Sequence, residues 1–189
     1  MIRIGILGDI GSGKSYVANN FGYPVFNADN EVAKLYREDK KVFHLLNKKL
    51  PQFITKFPID KNEITKAILS NKKNFKKIIN IIHKEIKKKI KLFLKKNIDK
   101  KIVILDVPLL LENKLNSKND ILVFVDAKTS NIEKKLKKRP NFNRKLYNKF
   151  KKIQLSGFYK KRKSDFIIKN NFMKKNVNIE IKNILKKIL

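Results

Sequence analysis

The chain has 189 residues, no cysteine, and 47 lysines and arginines against 16 acidic residues, for a formal charge of +31. That length suits one domain, or one domain with a sizeable insertion, and the missing thiols exclude disulfides, thiolate metal sites and cysteine nucleophiles. No apolar run approaches the ~20 residues that span a bilayer, and "MIRIGILGDIG" lacks a signal-peptide pattern, so a cytoplasmic setting away from membranes is expected.

The charge alone would suggest a nucleic-acid partner. Only five of the basic residues are arginine, however: Arg3, Arg37, Arg139, Arg144 and Arg162. Lysine, asparagine, isoleucine and phenylalanine, all with A/T-rich codons, are plentiful, so genomic composition accounts for a solvated lysine surface without a specific nucleic-acid partner. Where lysine is the default, a retained arginine is a candidate for work that lysine cannot do.

In chain order, "IRIGIL" reads as a short buried strand. It leads into "GDIGSGKS" (8–15), which fits G-x-x-x-x-G-K-[ST], and four of the six glycines fall before residue 14. Glycines let backbone N–H groups converge on phosphate oxygens, and the following helix "SYVANNF" points its positive end at the same place. The plain alternative is a flexible glycine turn. The pattern predicts a nucleotide cradle of Gly8, Asp9, Ile10, Gly11, Ser12, Gly13, Lys14, Ser15 and Tyr16. Lys14 would reach the β- and γ-phosphates of ATP or GTP, and the Ser15 hydroxyl would hold Mg²⁺.

"YPVFNAD" (23–29) reads as a second strand ending at Asp29. From residue 31 to about 99 the pattern is helical, with "PQFITKFPIDKNEI" as an irregular middle. Phe75, Ile78, Ile79, Ile82, Ile86, Ile90 and Phe93 form one packing stripe, and His83 beside it reads as a packed or capping histidine. "KIVILDV" (101–107) and "DILVFVD" (120–126) are buried strands separated by "PLLLENKL". Helical "NIEKKLKKR", a polar break and one long basic helix from about Arg144 to Arg162 follow. "DFIIKN" is a last short strand before an amphipathic C-terminal helix. Alternating strands and helices predict an α/β fold with a parallel sheet flanked by helices, and ligands beyond the strands' carboxyl ends, near Asp29, Asp106 and Asp126. The expected division is a core of 1–30, 100–138 and 163–189, a helical acceptor-binding insertion of 31–99, and a lid of 139–162.

A GTPase needs a base-reading N-K-x-D segment after an apolar strand, and none is present. A small-molecule kinase adds an acceptor-binding insertion and an arginine-bearing lid, in this order. Four patterns then make the chain resemble the dephospho-coenzyme A kinase family. They are "GDIGSGKS", "NADNEVAK" (27–34, similar to the family's D-A-D segment), "VPLLLEN" (107–113, similar to P-L-L-x-E), and a tail. In the tail, Arg139, Arg144, Gln154, Lys160, Asp165 and Asn170–Asn171 keep the family's spacing. Three positions depart from it: Asn27 for the first aspartate of D-A-D, His83-Lys84 for His-Pro, and Phe172 for the glycine after the last asparagines.

The resemblance implies a P-loop kinase fold and ATP- and Mg²⁺-dependent phosphorylation of the ribose 3′-hydroxyl of dephospho-coenzyme A, the last step of coenzyme A synthesis. Asp29 would orient or deprotonate the hydroxyl, or else only favour the dipole of the next helix. Lys14 and Arg139 would share the catalysis, and Arg139 with Arg144 would grip phosphate bidentately. Glu112 would brace or cap the loop, and Arg3 lies outside the set. The alternatives are another small-acceptor kinase, such as a nucleoside monophosphate kinase, and a basic nucleic-acid-binding ATPase. The expected partner is a small molecule, with the chain a monomer or weak homo-oligomer.

Overall fold

The computed structural model describes residues 1–140 and 142–189. Asn141, inside the expected lid, lies outside the described residues. Five strands form one wholly parallel sheet: β1 (Ile2–Gly8), β2 (Val25–Asn27), β3 (Ile102–Asp106), β4 (Ile121–Asp126) and β5 (Phe166–Lys169), in the order β2-β3-β1-β4-β5. The helices are α1 (Lys14–Asn20), α2 (Ala28–Glu38), α3 (Lys40–Lys49), α4 (Lys61–Ser70), α5 (Lys72–Lys96), α6 (Thr129–Lys137), α7 (Arg144–Ile153), α8 (Gly157–Arg162) and α9 (Lys174–Ile188).

Strand alternation divides the core between the two faces of the sheet. Ile4, Ile6, Ile102, Ile104, Val123 and Val125 pack with Val17 and Phe21 beside α1 and with Val177, Ile181 and Ile184 of α9. Leu7, Leu105 and Phe124 pack on the other face with Leu35, Val42, Leu46, Ile64 and the α5 stripe. Phe75, Ile78, Ile82, Ile86 and Ile90 are buried in that stripe, as its spacing predicts, each worth roughly 1.5–3 kcal/mol of apolar transfer. Ile79 and Phe93 are partly buried beside them. Asn71 starts α5 by accepting a hydrogen bond from the Asn74 N–H at 2.8 Å.

Two sequence expectations are corrected. The second strand stops at Asn27, because the Asn27 side-chain oxygen accepts from the Asn30 N–H at 2.8 Å and so caps α2. Asp29 therefore stands in the first turn of a helix, not at a strand end. The single basic helix of 144–162 is two helices. Ser156 caps α8 by accepting from the Tyr159 N–H, and the break is braced by Glu112, which accepts from the Leu155 N–H at 2.9 Å. Gln154 donates to the Pro108 carbonyl across the same break.

Arg3 is no idle surface charge. Its guanidinium meets the Asp120 carboxylate with NH2 and Nε each 3.0 Å from an oxygen, and Asp120 in turn accepts from the Ser117 N–H. A lysine cannot make this two-pronged contact. The arginine is kept for structure, at the end of the sheet away from the glycine loop.

Candidate active site

The loop between β1 and α1 curls through three glycines with φ of 149° (Gly8), 88° (Gly11) and 94° (Gly13). Space as well as dihedral excludes a side chain. A Cβ on Gly13 would lie 2.4 Å from the Asn170 Nδ2, and one on Gly8 would lie 2.6 Å from the Ser12 Oγ. Gly11 sits over Ile132 and Leu136 of α6, which hold the loop from beneath. Asn170, buried at the end of β5, donates to the Ser12 carbonyl at 2.8 Å and ties the last strand to the loop. The Ser12 Oγ is buried and has no hydrogen-bond partner, which suits a cradle for an oxyanion.

Lys14 is buried, and its ammonium donates to the Gly8 carbonyl at 3.1 Å and the Asp9 carbonyl at 2.9 Å. Burial pushes its pKa down to about 8, with Lys160 adding to the fall while Asp106, Asp29 and Asp9 oppose it. Asp29 and Asp106 are thus within electrostatic reach of the Lys14 ammonium. Asp106, at the carboxyl end of β3, is 3% exposed; burial raises its pKa, opposed chiefly by the Ser15 hydroxyl and by Lys14. Asn27 donates to the Asp106 Oδ2 at 2.7 Å.

Asp106 is therefore tied to Ser15, Lys14 and Asn27, whereas Asp126 pairs with Lys161. Ile10 lies in the loop, and Tyr16 is 41% exposed on α1. Two side chains outside the expected cradle join it: Asn170, and Lys160 from α8, whose ammonium is 3.0 Å from the Asp9 Oδ1. No local signal separates Lys160 from the other lysines; only its spacing in the tail singled it out. Arg139 and Arg144 are exposed, and the Arg144 guanidinium lies 5.8 Å over the Tyr147 ring. Neither makes a hydrogen bond to the loop among the described residues.

The dephospho-CoA kinase family model matches residues 2–176. The chain belongs to the dephospho-CoA kinase family. It is 35% identical to a dephospho-CoA kinase of Wolbachia pipientis wMel over 96% of this chain and 95% of that protein. It is 31% identical to one of Rickettsia typhi over 100% and 98%. Two solved structures share the fold. A Thermus thermophilus protein has TM-score 0.80 at 24% identity, covering 100% of this chain and 98% of that one. A dephospho-CoA kinase from Campylobacter jejuni has 0.65 at 21%, covering 98% and 96%.

Each departure from the dephospho-CoA kinase pattern has a local physical setting here. An aspartate at 27 would face the Asp106 carboxylate across 2.7 Å, where Asn27 instead supplies a donor. His83 is half-buried and faces the Asn113 Nδ2 at 3.2 Å, and burial lowers its pKa, so it packs as a neutral ring. Phe172 holds φ of 65°, with Lys135 5.2 Å above its ring. Phe172→Gly is expected to be more stable than Phe172→Ala by about 1 kcal/mol in urea unfolding, because both lose the ring but only glycine is unstrained at that φ. Equal stabilities would mean that the backbone there is not strained.

Proposed function

We propose that this chain transfers the terminal phosphoryl group of ATP to the ribose 3′-hydroxyl of dephospho-coenzyme A, giving coenzyme A and ADP. The family match over residues 2–176 carries the reading. The loop geometry supplies the chemistry. The Lys14 ammonium, now on two loop carbonyls, would turn to the β- and γ-phosphate oxygens. Asp29 would accept a hydrogen bond from the attacking hydroxyl and take its proton as the new O–P bond forms and the β–γ bridging bond breaks. In-line transfer asks the protein mainly for position and charge, and Asp29 and Asp106 both lie within electrostatic reach of the Lys14 ammonium.

Magnesium, arriving with the nucleotide, would neutralise charge on the phosphates. The donor set fits it: Ser15 and Asp106 offer two oxygens, and no cluster of three acidic, histidine or cysteine ligands exists among the described residues. A cation bound mostly through phosphates and water needs no more. Residues 31–99 are read as the acceptor-binding insertion and 139–162 as the lid. α7 rests on the insertion, with Phe150 edge-on to Phe75 at 5.4 Å and the Lys149 ammonium on the Ile68 and Leu69 carbonyls.

A coupled ADP-release assay tests the reading directly, with ATP against dephospho-coenzyme A, AMP and single-stranded DNA. Turnover is expected with dephospho-coenzyme A alone and only with magnesium. ADP release that is equal with and without acceptor would make the chain a plain ATPase. Arg139→Lys and Arg144→Lys are each expected to lower kcat/KM at least ~10-fold, about 1.4 kcal/mol of transition-state binding, because an ammonium cannot match two phosphate oxygens. The comparison is made at two ionic strengths to separate a specific grip from general surface charge. Unchanged kinetics in both variants would remove these arginines from the lid.

A further inference from the structure

Lys160 is 2% exposed, a charged side chain almost wholly withdrawn from solvent. Its ammonium donates to the Gly8 carbonyl at 3.3 Å and to the Asp9 Oδ1 at 3.0 Å. Gly8 is also the carbonyl that the Lys14 ammonium occupies at 3.1 Å, so two buried cations share one oxygen at the mouth of the loop. The carboxylate opposing them is a poor match in burial, since the Asp9 side chain is 52% exposed while that of Lys160 is 2%. A lysine needed only to pin α8 to Asp9 could do so from the surface, where an ion pair keeps its solvation. Burying two like charges together is costly unless an anion completes the group. The unpartnered Ser12 Oγ lies in the same hollow, beside Gly8.

We infer that Lys160 is a second nucleotide-binding cation, which leaves Asp9 for the terminal phosphoryl group when ATP occupies the loop. The Asp9 carboxylate is then a parking place for the ammonium, holding it within one side-chain rotation of the transferred group. Gly157 leaves room for this arrangement, since a Cβ there would already lie 3.2 Å from the Asp9 Oδ2. The inference rests on the kinase reading for its substrate, but the ATP-binding part of its test needs no acceptor.

The experiment is calorimetric binding of ATP and ADP to the whole chain, without acceptor, for the unaltered protein and for Lys160→Gln. Glutamine keeps an N–H donor for Asp9 and the Gly8 carbonyl while removing the charge. ATP affinity is expected to fall at least ~10-fold and ADP affinity less than ~3-fold, because only ATP carries the group that Lys160 meets. Equal losses for the two nucleotides, or no loss for either, would overturn the inference and leave Lys160 as a strut. If Lys160→Gln does not fold, Asp9→Asn decides. Releasing the ammonium is expected to tighten ATP binding, whereas a strut cut at its carboxylate loosens α8 and weakens it. Failure of dephospho-coenzyme A to accept phosphate would defeat the kinase reading yet leave these ATP and ADP results intact, so the two failures are distinguishable.

Discussion

Lys14→Met is expected to abolish acceptor-dependent ADP release while the protein remains folded. The ammonium is the charge nearest the transferred group in the proposed mechanism, and it contributes no apolar packing that methionine lacks. Its burial is itself costly. With a pKa near 8 in the fold against 10.5 when unperturbed, the charged form is disfavoured on the order of 3 kcal/mol. Loss of a donor to two loop carbonyls offsets part of the relief in the variant, so the melting temperature is expected to hold or rise at neutral pH. The pH dependence has a definite sign. Below pH 8 the ammonium is charged whether folded or unfolded, and the penalty is fully present. Between pH 8 and 10.5 the unfolded chain binds more protons, so stability gains with pH. Thermal melts of the natural chain should therefore gain on those of Lys14→Met across that window. A variant that keeps more than about one hundredth of the natural kcat would remove Lys14 from the chemistry.

Asp29→Asn is expected to lower kcat by roughly 10²–10⁴ with ATP affinity held within a few-fold, the range for loss of a general base or orienting carboxylate. The side chain sits in the first turn of α2, where a negative charge also favours the helix by about 0.3–1 kcal/mol. Steady-state kinetics and a urea melt separate the two contributions. A small loss of stability with near-natural kcat would assign Asp29 to the helix alone. The nearby amide of Asn27 is already engaged with Asp106 and cannot stand in for the carboxylate.

The loop was legible because its information is local. Strand, glycines, lysine and hydroxyl are contiguous, and each residue type follows from what a phosphate requires. The strands were legible as apolar runs, and the α5 stripe as a period. What escaped was decided by short polar side chains or by distance. Asn27 ended β2 early with one cap, and Ser156 split a basic stretch whose periodicity alone would continue. Asp106 looked like any strand-end aspartate until Ser15, Lys14 and Asn27 were found around it. Lys160 was marked only by its spacing in the tail, and its burial was not legible locally, because that burial is set by α8 docking on a loop some 150 positions earlier. Arg3 obeyed the rule that a retained arginine does what lysine cannot, but its work is with Asp120 and not with a ligand.

The strand order also dictates when the site can exist during synthesis. β1 is hydrogen-bonded to β3 and β4, with Ile2 opposite Ile102 and Ile4 opposite Ile121. The glycine loop is made well before its sheet partners, since the strand that aims it is unpaired until β3, starting at Ile102, has followed. At roughly 5–20 residues per second, that leaves the glycines unpositioned for several seconds. Asn170 then fastens the loop from the far end of the chain. The loop residues precede their partners in the chain and acquire their working shape after them, so a nascent chain halted before β5 would carry the whole motif without the site.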